Sequence, residues 1–145
     1  MDVSDFAVAC ARENAARNGL ESVVDCVSAN VFDLLPRLQK GQYDFIILDP
    51  PAFTKSRQTT RRAMAGYKEI NYRAMRLLPR GGYLATCSCS HFATEELFRK
   101  MIRDAAHDAG VQLRQIEARQ QAADHPILWG VEETSYLKFY LFQVV

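Results

Sequence analysis

The sequence predicts an α/β fold built on a largely parallel sheet, and two stretches carry that prediction. Tyr43-Asp44-Phe45-Ile46-Ile47-Leu48 is an apolar run that stops at Asp49-Pro50-Pro51, and Gly82-Tyr83-Leu84-Ala85-Thr86 is a second such run that leads into Cys87-Ser88-Cys89-Ser90. Segments with helical apolar spacing alternate with these short runs, as strand–helix–strand units require. Phe45, Ile46, Ile47 and Leu48 lack polar alternation, which marks a strand buried on both faces. Neither proline has an N–H, so ladder pairing ends there. The Asp49 carboxylate is thereby held at the C-terminal edge of a sheet, where open α/β folds bind their ligands.

The elements follow in order. Ser4 is placed to cap a helix over residues 4–18, with Phe6, Ala7, Cys10, Ala11 and Asn14 on one side and Gly19 as its stop. Residues 22–28 read as a strand and residues 31–40 as a short helix whose first turn tolerates Pro36. The strand over residues 43–48 comes next, then a polar connection over residues 52–60 carrying Lys55 and Arg57, with Arg61 and Arg62 near its end. A helix over residues 62–78 closes at Pro79 and Gly81-Gly82. Thr94 caps another that runs to residue 109, with Glu95 and Glu96 at its positive N-terminus and Gly110 as its end. Strands over residues 111–118 and 136–144 complete the chain, with Asp124-His125-Pro126 turning between them.

Bulk properties exclude more than they assign. A chain of 145 residues suits one domain, and a net charge of +1 gives no global attraction to nucleic acid or membrane. No apolar run reaches the length of a membrane span. Cys10, Cys26, Cys87 and Cys89 are spaced neither as a disulfide framework nor as a metal site, so no metal is expected and reduced cytoplasmic thiols are.

An ordered set of short matches runs through the chain: Asp2-Val3-Ser4, the segment 11–19, Leu48-Asp49-Pro50-Pro51, the segment 66–71, Ser88-Cys89-Ser90, the segment 122–126 and Tyr136-Leu137-Lys138. With these the chain resembles the methyltransferase domain of the large-subunit ribosomal RNA cytosine-C5 methyltransferases. The resemblance implies a class I methyltransferase, Rossmann-like sheet with helices on both faces, S-adenosylmethionine as cofactor, and ribosomal RNA as partner. In that family a strand and a Gly-rich turn precede the position of Asp2, and an RNA-binding domain lies further upstream. Met1 stands just before that position, so residues 1–145 are expected to form a partial domain lacking its N-terminal strands. The expected consequences are weak cofactor binding by this chain alone and an open edge on the 43–48 strand through which copies self-associate.

The same resemblance distributes roles. Asp2 aligns with the acid that binds the ribose hydroxyls, Ser4 lies beside it, and Asn30, Val31, Asp49 and Pro50 fall at cofactor positions. Asn30 is equally explained as a helix cap. Cys89 is the expected nucleophile, since thiolate addition makes cytosine C5 electron-rich enough to accept a methyl group. Cys87 competes, because Thr86-Cys87-Ser88 matches the thiol context of other RNA methyltransferases, and strand alternation puts both thiols on one side. Asp49 would hydrogen-bond the base. Pro51, Phe53, Lys55, Arg57 and Lys68 are the expected RNA contacts, although a charge run is also an ordinary solvated loop. His125 reads as a turn residue. One alternative is an amino-group or guanine methyltransferase that grips a base with Asp-Pro-Pro and a nearby aromatic, needing no thiol. Another is a non-catalytic RNA-binding remnant.

Overall fold

The computed structural model describes residues 1–53 and 57–145, with Arg57 described in its backbone only. They form two compact units, Met1–Leu38 and Gln39–Val145.

In the first unit, helix α1 spans Asp5–Arg17 and is capped by Ser4, whose side chain accepts from the Ala7 N–H. It ends in a Schellman arrangement: the Leu20 N–H reaches the Ala15 carbonyl at 2.8 Å and the Gly19 N–H the Ala16 carbonyl at 3.0 Å. The buried residues are Val8 and Ala15, whereas Phe6, expected on the inner face, is 79% exposed. Arg12 turns the helix toward the Cys26 segment by donating to the Cys26 carbonyl at 2.7 Å. The strand expected over residues 22–28 does not form. Among the described residues its pairing is a single parallel bridge between Asp2 and Ser28, because a strand needs a partner ladder and only Asp2 supplies one. Helix α2 is Val31–Leu34, shorter than expected. Pro36 has no N–H to continue the α-helical pattern, and the chain tightens into a 3-10 turn over Leu35–Arg37.

The second unit holds a four-stranded sheet of β1 (Phe45–Leu48), β2 (Tyr83–Ser88), β3 (Leu113–Arg119) and β4 (Lys138–Val144), ordered β1-β2-β4-β3. β1 and β2 are parallel, with Leu48 opposite Thr86; β4 runs antiparallel to both of its neighbours. β1 ends the sheet among the described residues, and Phe45 and Ile47 on it are exposed. Helices α3 (Thr60–Leu77) and α4 (Glu95–Ala109) pack on one face of the sheet. α3 buries Ala63, Tyr67, Ile70, Asn71, Ala74, Met75 and Leu77, the stripe that a 3.6-residue period aligns. α4 begins at Thr94, whose hydroxyl accepts from the Leu97 N–H, and ends at Gly110 with φ +67°, a left-handed conformation that suits glycine. Gly82 serves a different need: a Cβ there would lie 3.0 Å from the Pro79 carbonyl and 3.2 Å from the Asp44 carbonyl. No helix among the described residues is long and apolar enough to cross a membrane.

Candidate active site

Parallel pairing of β1 and β2 makes both strands leave the sheet at the same edge, so Asp49-Pro50-Pro51 and the Cys87–Ser90 segment are neighbours. The two thiols there have different surroundings. Cys87 is buried in the last turn of ladder pairing and its thiol donates a hydrogen bond to the Asp49 carboxylate. Burial first, then the charge and hydrogen bond of Asp49, push the Cys87 thiol up to about 11. It is therefore protonated at neutral pH and a poor nucleophile. Cys89 lies beyond the last strand residue, Ser88, and is exposed. The alternation that placed both thiols together in the sequence does not extend past Ser88.

Tyr67 on α3 anchors this edge from beneath. Ser88 Oγ donates to the Tyr67 hydroxyl oxygen at 3.1 Å, and the Phe53 backbone hydrogen-bonds the same hydroxyl. The Ser90 N–H in turn reaches Ser88 Oγ at 3.3 Å. The Phe53 ring lies 4.7 Å from the Tyr67 ring, which meets Phe98 edge-on at 5.7 Å. Burial raises the Tyr67 pKa and keeps the phenol neutral. One phenol thus ties the loop after β1 to the turn after β2.

The edge has a third support. Lys138 opens β4 opposite Ser88, and its ammonium donates to the carbonyls of Ser90 and Tyr136, both at 2.6 Å. Burial draws its pKa below the ordinary lysine value, and the charges of Cys89 and Glu95 work the other way. Neither Tyr67 nor Lys138 had a role assigned from the sequence. The available signal was a cation at the inward register of the apolar run Phe139-Tyr140-Leu141-Phe142.

The remaining expected residues fall as follows. Asp49 and Pro51 are exposed, while Pro50 and Phe53 are half-buried. Lys55 and the Arg57 side chain lie outside the described residues. Lys68 is engaged within the fold, pairing with Asp108 of α4 at 2.6 Å, and that bond raises its pKa. His125 sits in a turn with its ring nitrogen 3.2 Å from the Tyr136 hydroxyl.

In the first unit, Asp2 Oδ1 accepts from the Ser4 N–H at 2.8 Å, leaving a second carboxylate oxygen on an exposed residue. The parallel bridge joins Asp2 to Ser28, two residues before Asn30. Asn30 caps α2, its side-chain oxygen accepting from the Phe32 N–H at 2.9 Å, with Val31 as the first helical residue.

Comparison with known proteins agrees with this geometry. A family model described as the methyltransferase small domain matches residues 1–112. Ribosomal RNA large subunit methyltransferase I of Klebsiella pneumoniae is 42% identical over 100% of this chain and 37% of its own length. The protein of the same name from Pseudoalteromonas atlantica is 40% identical over 100% of this chain and 38% of its length. The chain thus spans a little over a third of the curated relatives it matches. Among solved structures, SMU.776, a methyltransferase by its description and complexed with SAH, superposes with a TM-score of 0.76 at 19% identity over 98% of this chain and 37% of its own. TrmN from Thermus thermophilus gives 0.64 at 20% identity over 99% of this chain and 35% of its own. These superpositions show the class I methyltransferase, Rossmann-like fold. The chain belongs to the methyltransferase small domain family.

Proposed function

We propose that this chain is the methyltransferase portion of an S-adenosylmethionine-dependent enzyme that methylates cytosine C5 in ribosomal RNA, with Cys89 as nucleophile. The relatives named as ribosomal RNA methyltransferases support the substrate class. The observation that carries the chemistry is the placement of an exposed thiol, Cys89, at the sheet edge shared with Asp49-Pro50-Pro51.

The bound cofactor would supply an electrophilic methyl group on a sulfonium sulfur. Asp2, Ser4, Asn30 and Val31 would hold its adenosine half, and Asp49 and Pro50 are the further cofactor positions that the resemblance implies. The Cys89 thiolate adds to C6 of the ring, its electron pair forming the C–S bond and raising electron density at C5. After C5 is methylated, loss of the C5 proton to a base restores the ring double bond, and the sulfur leaves with the electrons of the C–S bond. Asp49 hydrogen-bonds the Cys87 S–H and would support protonation of the ring at N3 from solvent as the thiolate adds, accepting the N3–H hydrogen bond so that no net charge is left on the adduct. Pro51 and Phe53 would wall the base, and Lys55 and Arg57 would meet RNA phosphates, while Lys68, paired with Asp108, is left out of that set. A base inside a helix has to be flipped out to reach this edge.

The test is trapping. RNA carrying 5-fluorocytosine at the target lacks the proton whose loss releases the enzyme, so a stable adduct on Cys89 is expected by peptide mass mapping. An adduct on another residue, or methyl transfer without any adduct, would sink the mechanism.

A further inference from the structure

A lysine facing inward from a strand is costly unless its protons find acceptors. Lys138 is 9% exposed and shares the buried register of β4 with Tyr140, Phe142 and Val144. Its two 2.6 Å hydrogen bonds go to the Tyr136 carbonyl, two residues upstream, and to the Ser90 carbonyl across the β2–β4 ladder. Ser90 is the residue directly after Cys89. We propose that Lys138 is a positioning residue for the Cys89 thiol: clamped between two carbonyls, its ammonium holds the Cys89-Ser90 backbone against β4 and places a fixed positive charge beside the turn that carries the thiol. This inference rests on Cys89 being the nucleophile proposed above.

The ionisable groups around the turn come from every packed element. Tyr67 on α3 and Cys87 on β2 both interact with Cys89, and Asp49 after β1 interacts with Tyr67 and Cys87. Glu95 on α4 faces Lys138, and His91 follows two residues after Cys89. Tyr67 and Cys87 are held neutral by burial, so they add no charge at neutral pH. Lys138 is the buried cation at this turn, and its interaction with Cys89 is attractive.

The rate of iodoacetamide alkylation at Cys89, followed against pH by peptide mass mapping, reads this coupling without requiring methyl transfer. Lys138→Met should slow alkylation at pH 7 about tenfold. Lys138→Arg, which keeps the charge, should recover most of the rate. A Lys138→Met chain with native circular dichroism and a wild-type profile would overturn the proposal. If Lys138→Met does not fold, Lys138→Gln keeps amide donors without the charge, and a wild-type profile there overturns it equally. A slowed profile in Lys138→Met beside full methyl transfer in Cys89→Ala would leave the coupling standing and sink the cytosine mechanism. An unchanged profile beside an inactive Cys89→Ala would sink the coupling alone.

Discussion

The Cys87 thiol donates a hydrogen bond to the Asp49 carboxylate, and this contact distinguishes it from Cys89, two positions further on. Cys87 is buried with its thiol pushed up to about 11, whereas Cys89 is exposed.

The first prediction concerns that division. In an enzyme of the full length of the relatives, Cys89→Ala should abolish both methyl transfer and the 5-fluorocytosine adduct. Cys87→Ala should retain substantial activity, because Asp49 loses an orienting donor and the nucleophile stays. Transfer of labelled methyl to ribosomal RNA measures both. Activity surviving the loss of both thiols would instead favour amino-group chemistry with Asp49 gripping the base.

Alkaline stability follows from the same contact. The folded state raises the Cys87 pKa from 9.0 to about 11, so it favours the protonated thiol. The resulting stabilisation is whole below pH 9 and is lost as pH rises toward 11. A shift of that size corresponds to about 2–3 kcal/mol. Urea midpoints should therefore fall more steeply above pH 9 in the wild-type chain than in Cys87→Ala. Parallel curves for the two proteins would refute the assignment.

Tyr67→Phe keeps the ring contacts with Phe53 and Phe98 and removes only the hydroxyl that Ser88 and the Phe53 backbone share. Leaving those buried partners unsatisfied should cost about 1–3 kcal/mol. Chemical denaturation at pH 7 would show a lowered midpoint with an unchanged slope, and an unchanged midpoint would contradict the anchoring role.

The open edge of β1, with Ile47 66% exposed, should drive self-association of this chain. Sedimentation velocity across a concentration series is expected to show species larger than a monomer, and Ile47→Lys should reduce them. A monomer with one sharp melting transition would disprove the expectation.

Much of the fold was legible because it depends on neighbours in the chain. Ser4, Thr94 and Gly110 announce helix ends by local hydrogen bonding and backbone preference, and the structure places α1 and α4 within a residue or two of those signals. Pro50 and Pro51 end β1 for the equally local reason that they have no N–H to pair. The Asp-Pro-Pro turn and the thiol-bearing strand were therefore visible as two parts of one sheet edge.

What the tertiary structure alone decided depends on partners distant in sequence. The 22–28 segment has strand composition, yet only Asp2 pairs with it, and a single bridge makes no strand. Strand alternation gives Cys87 and Cys89 the same side; the packed structure gives them different surroundings, Cys87 buried beside Asp49 and Cys89 exposed beyond the end of β2 at Ser88. Tyr67 and Lys138 reach the site across 21 and 48 residues of sequence to Ser88 and Ser90. Composition and periodicity report which face of an element is apolar. They carry no record of which buried hydroxyl or ammonium closes a hydrogen bond on another strand, because that is set by how the elements pack.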